Sequence, residues 1–372
     1  MEQTPKQKPE WTPQDATDAF ASFVVPATNQ TSPTKGKNEK LAKSNLLSSD
    51  EYVSGILSNN RVILSRAITL IESNSPSHFE LAQEIITKIL PYSGKSIRIG
   101  ITGSPGVGKS TFIEAFGKYL TNHGYKVAVL AIDPSSTKSR GSILGDKTRM
   151  EELSRDKNAF IRPSPSAGTL GGVARKTRET MFICEAAGYD VILIETVGVG
   201  QSEITVRSMV DYFLVLLLPG AGDELQGIKK GVIELADGII VNKAEGDNLN
   251  KAKLTQSAYK NALHLLTHQI PNYIPSVLIA SALNGTNIDE AYNEILKFIK
   301  LTKENHLFDE RRKGQLIEWF NSLLNEAIHN KLFGNPNIQS LIKNIQSDIL
   351  NLQISPVNAV NYVIKQLFPE KK

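Results

Sequence analysis

An α/β fold on a mostly parallel sheet is predicted by three features of this chain. Short β-branched or apolar runs alternate with helical stretches, most of the runs are continuously apolar, and several end in loops rich in Gly, Asp or Ser. The runs are residues 97–101, 127–132, 191–195, 212–218, 238–242 and 277–280, with a weaker one at 159–162. Strands covered by helices on both faces lose the apolar/polar alternation, which is the pattern here. In such sheets ligands bind beyond the carboxyl ends of the strands.

Helical patterning flanks this central region. Val62, Leu64, Ala67, Ile68 and Ile71 share one side of a helical wheel, as do Leu81, Ile85, Ile86, Ile89 and Leu90. Downstream, Leu316, Trp319, Phe320, Leu323, Leu324 and Ala327 form an apolar stripe, and residues 338–349 and 356–367 read as further helices. The stripe suits either packing on the core or a dimer arm. Residues 1–45 hold five of the seventeen prolines among Thr, Ser, Gln and Lys, the composition of a disordered tail with one apolar patch at Phe20, Phe23, Val24 and Val25. The expected division is therefore a tail (1–45), an N-terminal helical region (46–95), the α/β domain (96–300) and a C-terminal helical region (301–372).

Composition excludes several classes. With 372 residues, 40% hydrophobic and 22% charged, the chain can bury a large core. A net charge of +4 with no long basic run argues against a dedicated nucleic-acid binder. Cys184, the single cysteine, excludes a disulfide framework and a cysteine-built zinc site. The longest apolar run, 212–218, is too short to span a membrane. Glu2 and Gln3 stand where a secretory signal needs positive charge, and the first arginine is Arg61, so a cytoplasmic location is expected.

The run Gly103-Ser104-Pro105-Gly106-Val107-Gly108-Lys109-Ser110 fits the P-loop pattern, between a predicted strand and a helix opened by Thr111. Glycines allow backbone N–H groups to turn inward around phosphate oxygens. Lys109 would reach the β- and γ-phosphates, and Ser110 would ligate Mg²⁺. Asp133, Asp146 and Glu195 lie at strand ends or in following loops. Taken singly such acids are commonly helix caps; near a triphosphate they divide into metal holders and a group that orients water. Glu195-Thr196-Val197-Gly198 has the form of a switch in which the Gly198 N–H follows the γ-phosphate. The loop from Gly220 to Gly231 carries four glycines, with Gln226 and Lys229 able to reach developing phosphate charge; an ordinary surface loop is the equal alternative.

Asn242-Lys243-Ala244-Glu245 follows a predicted strand where GTP-binding proteins use Asn-Lys-x-Asp. A carboxylate there accepts from guanine N1–H and its amino group, donors that adenine lacks. Glu245 is one methylene longer than Asp, which moves the carboxylate by about 1.5 Å. Lys243 would cover the base. Ser281, Ala282 and Leu283 fit a second guanine-contacting loop.

With these residues in place the sequence closely resembles the methylmalonyl-CoA mutase-associated GTPases, the MeaB/ArgK type of the SIMIBI class. Further carriers of the resemblance are Asp133-Pro134-Ser135-Ser136-Thr137, Gly141-Ser142-Ile143-Leu144-Gly145-Asp146-Lys147-Thr148-Arg149-Met150 and Glu195-Thr196-Val197-Gly198-Val199-Gly200-Gln201-Ser202-Glu203. Glu245, and Arg140 at a place where a small residue is more usual, depart from the pattern. The resemblance implies an α/β P-loop GTPase domain with an N-terminal helical extension and a C-terminal helical dimerisation region. It implies slow hydrolysis of GTP to GDP with Mg²⁺, and homodimerisation. It implies association with an adenosylcobalamin-dependent methylmalonyl-CoA mutase or related acyl-CoA mutase, whose cofactor loading such proteins gate and which they protect. On this analogy Asp133, Asp146 and Glu195 serve the metal and the attacking water, and Lys229 is a candidate catalytic group. No His lies in an Asp-x-His-x-x-Gly string, so cobalamin binding by this chain alone is not expected. Alternatives are a kinase linked to arginine/ornithine transport, a metallochaperone GTPase, and a scaffold that uses nucleotide only as a clamp.

Overall fold

The computed structural model describes residues 46–133, 150–165, 170–196, 202–220, 230–265, 270 and 273–368; for 132, 133, 164, 165, 170–173, 202 and 230 it describes the backbone alone. The tail 1–45 lies outside these residues. Three helices come first: α1 (Ser49–Leu57), α2 (Arg61–Glu72) and α3 (Pro76–Ile89). Each has a local start signal. Ser48 and Glu51 form a reciprocal capping box on α1, the Asn60 side chain accepts from Val62 and Ile63 N–H at α2, and Pro76 occupies the first turn of α3.

The central region is β1 (Ile97–Gly103), α4 (Lys109–Asn122), β2 (Val127–Asp133), α5 (Glu151–Arg155), β3 (Ala159–Pro165), α6 (Leu170–Ala186), β4 (Val191–Glu195), α7 (Ser202–Arg207), β5 (Tyr212–Leu217), α8 (Lys230–Glu234), β6 (Gly238–Val241), α9 (Asn248–His264), β7 (Ser276–Ile279) and α10 (Ile288–Glu304). All seven predicted runs are strands. They form one sheet in the order β3-β2-β4-β1-β5-β6-β7, with every pairing parallel. β5 and β6 are buried along their whole length and β4 up to its last residue, which is why their sequences are continuously apolar.

One face carries Ile99, Ile101, Val129, Leu193 and Leu214 against Phe112, Phe116 and Leu120 of α4 and Tyr292, Ile295 and Phe298 of α10. The other packs against α6 and α7, with α2 and α3 outside α6. From β1 the chain goes to β2 on one side, and from β4 to β5 on the other. That reversal opens a crevice at the carboxyl end of β1.

Three helices finish the chain: α11 (Leu307–Phe333), α12 (Pro336–Leu350) and α13 (Pro356–Leu367). α11 is fastened to the amino ends of the strands. Arg312 makes two hydrogen bonds to Asp211, at 2.6 and 2.7 Å, and Arg311 reaches Asp237 at 3.1 Å. Arg98 pairs with Glu185 through two bonds at 2.8 and 2.9 Å in a buried setting. The predicted stripe on α11 divides: Trp319 packs against Phe182 and Arg178, while Leu316, Phe320 and Leu324 are exposed. Val357, Val360, Tyr362 and Ile364 of α13 are exposed as well. No described helix is long and apolar enough to cross a membrane.

Removing one member of a buried ion pair strands the other. Glu185→Ala is therefore expected to lower the free energy of unfolding by about 3–5 kcal/mol, measured by urea denaturation.

Candidate functional site

The carboxyl ends of β1, β4, β5, β6 and β7 lie along one edge of the sheet, fixed by the pairs Ile101–Glu195, Gly103–Leu216, Leu217–Val241 and Val241–Ile279. Gly103 ends β1 so close to β5 that an added Cβ would sit 2.5 Å from the Leu216 carbonyl oxygen. The loop then turns back and Gly108, left-handed at φ 90°, caps α4. A Cβ on Gly108 would meet Asn242 Nδ2 at 2.9 Å, so this position excludes a side chain twice over. Val107 inserts into the core beneath the loop.

Lys109 is buried, and its Nζ donates to the carbonyls of Gly103 at 2.8 Å and Ser104 at 3.2 Å. Burial pulls its pKa down, and the charges of Glu195 and Glu203 pull the other way. Ser110 donates its hydroxyl hydrogen to Glu195 Oε1 at 3.0 Å. That contact sets a hydroxyl and a carboxylate side by side at the first turn of α4, two hard oxygen donors of the kind Mg²⁺ takes. Behind them Thr196 donates to the Thr102 hydroxyl at 2.7 Å, a buried pair that no sequence pattern announced.

Asn242 joins the loops. Its Nδ2 donates to the Val107 carbonyl at 2.9 Å, and its Oδ1 accepts from the Ala282 N–H at 3.1 Å. Lys243 follows in the left-handed region, φ 58°, with its side chain exposed. Ala244 N–H bonds to the Ala280 carbonyl, which holds this turn beside β7. Glu245 Oε2 is buried with no hydrogen-bond partner among the described residues. An orphaned carboxylate oxygen here suits the paired donors of a guanine edge. Ser281 is buried and bridged to Thr286, Ala282 is buried, and Leu283 is exposed at the tip of the turn.

The structure thus brings together residues 103–111, Glu195, Asn242, Lys243, Glu245 and the 281–283 turn. The Asp133 backbone closes β2 beside Pro165 on the same edge. Its side chain lies outside the described residues, as do Asp146, Gly198, Gln226 and Lys229. Glu203, the last residue of the 195–203 motif, is a buried acid whose charge acts on Lys109 and to which the sequence assigned no role.

An all-parallel sheet with a glycine loop between β1 and α4, tied by Asn242 to the turn after β6, is the architecture of a P-loop nucleotide-binding protein. Residues 64–337 match the family model described as methylmalonyl-CoA mutase-associated GTPase MeaB. The chain is 45% identical over 306 residues to "GTPase ArgK" of Escherichia coli, covering 82% of this chain and 92% of that one. It is 44% identical over 326 residues to "Methylmalonic aciduria type A homolog, mitochondrial" of Mus musculus, covering 85% and 79%. A crystal structure named "LAO/AO transport system kinase" superposes with a TM-score of 0.72 at 37% identity, covering 86% of this chain and 97% of that one. The chain belongs to the MeaB family of GTPases and hydrolyses GTP.

Asn242→Ala removes two hydrogen bonds that position the phosphate loop and the 281–283 turn. At about 1 kcal/mol each, their loss is expected to weaken GDP binding at least about tenfold, measured by calorimetry on the folded variant.

Proposed function

We propose that this GTPase is the gatekeeper of an adenosylcobalamin-dependent acyl-CoA mutase, methylmalonyl-CoA mutase first among them, controlling cofactor loading and protecting the mutase. The observation that carries this is the match of residues 64–337 to mutase-associated GTPases. The mouse relative's name, which ties it to methylmalonic aciduria, supports the same partner. The reading keeps the protein in the cytoplasm.

In this reading residues 103–111 wrap the phosphates with their N–H groups, and the Lys109 ammonium leaves its two carbonyls for the β- and γ-phosphates. Ser110, Asp133, Asp146 and Glu195 would hold Mg²⁺, which when bound neutralises charge on the phosphates. Glu195, through the hydroxyl it now accepts from, sits where it can orient water. Gly198 follows the γ-phosphate, and Gln226 and Lys229 meet charge developing on it when the partner presses on their loop. Asn242, Lys243 and Glu245 hold the guanine, with Ser281, Ala282 and Leu283 closing over it. The regions 46–95, 96–300 and 301–372 serve as helical extension, GTPase domain and dimerisation region, and the exposed apolar side chains on α11 and α13 supply the dimer surface.

A second reading, a kinase linked to arginine or ornithine transport, is favoured by the name of the superposed crystal structure. It requires phosphate on an acceptor other than water. GDP and free phosphate as sole products with both amino acids present would count against it. Multiple-turnover GTP hydrolysis is expected to rise when the mutase is added; an unchanged rate in a verified complex would overturn the gatekeeping role. GTP is expected to bind at least about tenfold better than ATP, about 1.4 kcal/mol, and equal affinities by calorimetry would remove Glu245 from base selection.

A further inference from the structure

Glu203 stands in the first turn of α7, on the face that lies against β1. One turn later Val206 covers Gly100, so closely that an added Cβ on Gly100 would meet Val206 Cγ1 at 2.7 Å, with Val210 over the same glycine at 3.1 Å. Arg207 reaches Asp237 at 3.5 Å, at the amino end of β6. α7 therefore runs antiparallel to β1. Glu203, about 5 Å up the helix from Val206, is on the side of Gly103, whose carbonyl holds the Lys109 ammonium. Gly100 and Thr102 point to the same face of β1 by the two-residue period, so Glu203 is level with the buried Thr102–Thr196 pair.

The Glu203 side chain is nine-tenths buried, at 6% exposure, and its Oε2 has no hydrogen-bond partner among the described residues. A buried carboxylate is costly unless a positive charge compensates it. Lys109 feels that charge. The ammonium in turn is buried against two neutral carbonyls and needs a negative field. The two groups compensate each other across the floor of the loop.

Phosphates change this balance. They bring several negative charges to the same ammonium, and Glu203 then faces them as a like charge in a water-poor setting. Once phosphates surround Lys109 the ammonium no longer needs Glu203, whereas the repulsion between carboxylate and phosphate remains. The carboxylate therefore favours the nucleotide-free protein over the bound one.

We propose that Glu203 is a positioning residue for GTP turnover, an internal counter-charge to Lys109 when no phosphate is present, whose repulsion of incoming phosphates sets nucleotide affinity. The inference rests on the assignment of the 103–110 loop to nucleotide. At an effective dielectric near 20, even one phosphate charge about 10 Å from the carboxylate weakens binding by more than about tenfold.

The test is calorimetry of the full-length protein with GDP, alongside steady-state hydrolysis. E203Q is expected to bind GDP at least about tenfold more tightly and to show a lower KM, with a smaller change in kcat than in KM. E203D, which keeps the charge, should bind like the parent. E203M, uncharged and of similar volume, carries the same expectation as E203Q and serves if that variant does not fold. Weaker or unchanged GDP binding in a folded uncharged variant, or E203D behaving as E203Q does, would overturn the proposal. Failure of the parent chain to bind GDP at all would instead refute the nucleotide site itself.

Discussion

One side-chain amide holds the site together. Asn242 follows β6, yet it hydrogen-bonds to the carbonyl of Val107 across β5 and to the N–H of Ala282 beyond β7. Those bonds exist only if β1, β5, β6 and β7 keep the registers that bring Gly103, Leu217, Val241 and Ile279 to one edge. A shift of one strand by a residue would move Asn242 by over 3 Å and separate the glycine loop from the turns after β6 and β7. The close approach of Gly103 to the Leu216 carbonyl is the same constraint seen from β1.

The opposite end of the sheet is held by charge. Arg311 and Arg312, adjacent on α11, take Asp237 and Asp211, the residues immediately before β6 and β5. Each aspartate also accepts a backbone N–H, Asp211 from Arg98 and Asp237 from Phe213. The carboxylates cap the amino ends of the strands and give the C-terminal helices a fixed seat. Since that seat lies at the pole away from the nucleotide, exposed apolar side chains on α11 and α13 are free for another surface while the phosphate edge stays open.

The sheet was legible because burial on both faces leaves β-branched and aliphatic residues in unbroken runs, as at residues 212–217, and because the glycine loop sits between such a run and a helix. Glu195 and Asn242 were legible for the same reason: each is the first polar residue after an apolar run. Contacts formed across distance left no comparable trace. Nothing local marks Asp211, Asp237 or Arg312, because in sequence a strand-capping aspartate looks like a loop one. The stripe on α11 was visible, but periodicity could not say that Trp319 would turn to Phe182 while Phe320 faced outward. Glu203 was hidden by its neighbours, for a short helix after a glycine-rich run looks exposed until its packing against Gly100 is seen.

α7 joins these two poles. Its first turn carries Glu203 near the phosphate loop, and its last residue, Arg207, is tied to Asp237. Just beyond, Ser208 receives Arg178, which also reaches the Gln315 carbonyl of α11, and Gln315 Nε2 donates to the Val210 carbonyl. A helix of six residues spans about 9 Å and is too short to bend, so a force on its first turn acts on its anchored end. The bolts at that end are buried and charged, Arg178 with its pKa pulled down to about 10 by burial. That end of the helix is thereby tied to β6 and α11, while Val206 packs over Gly100 of β1.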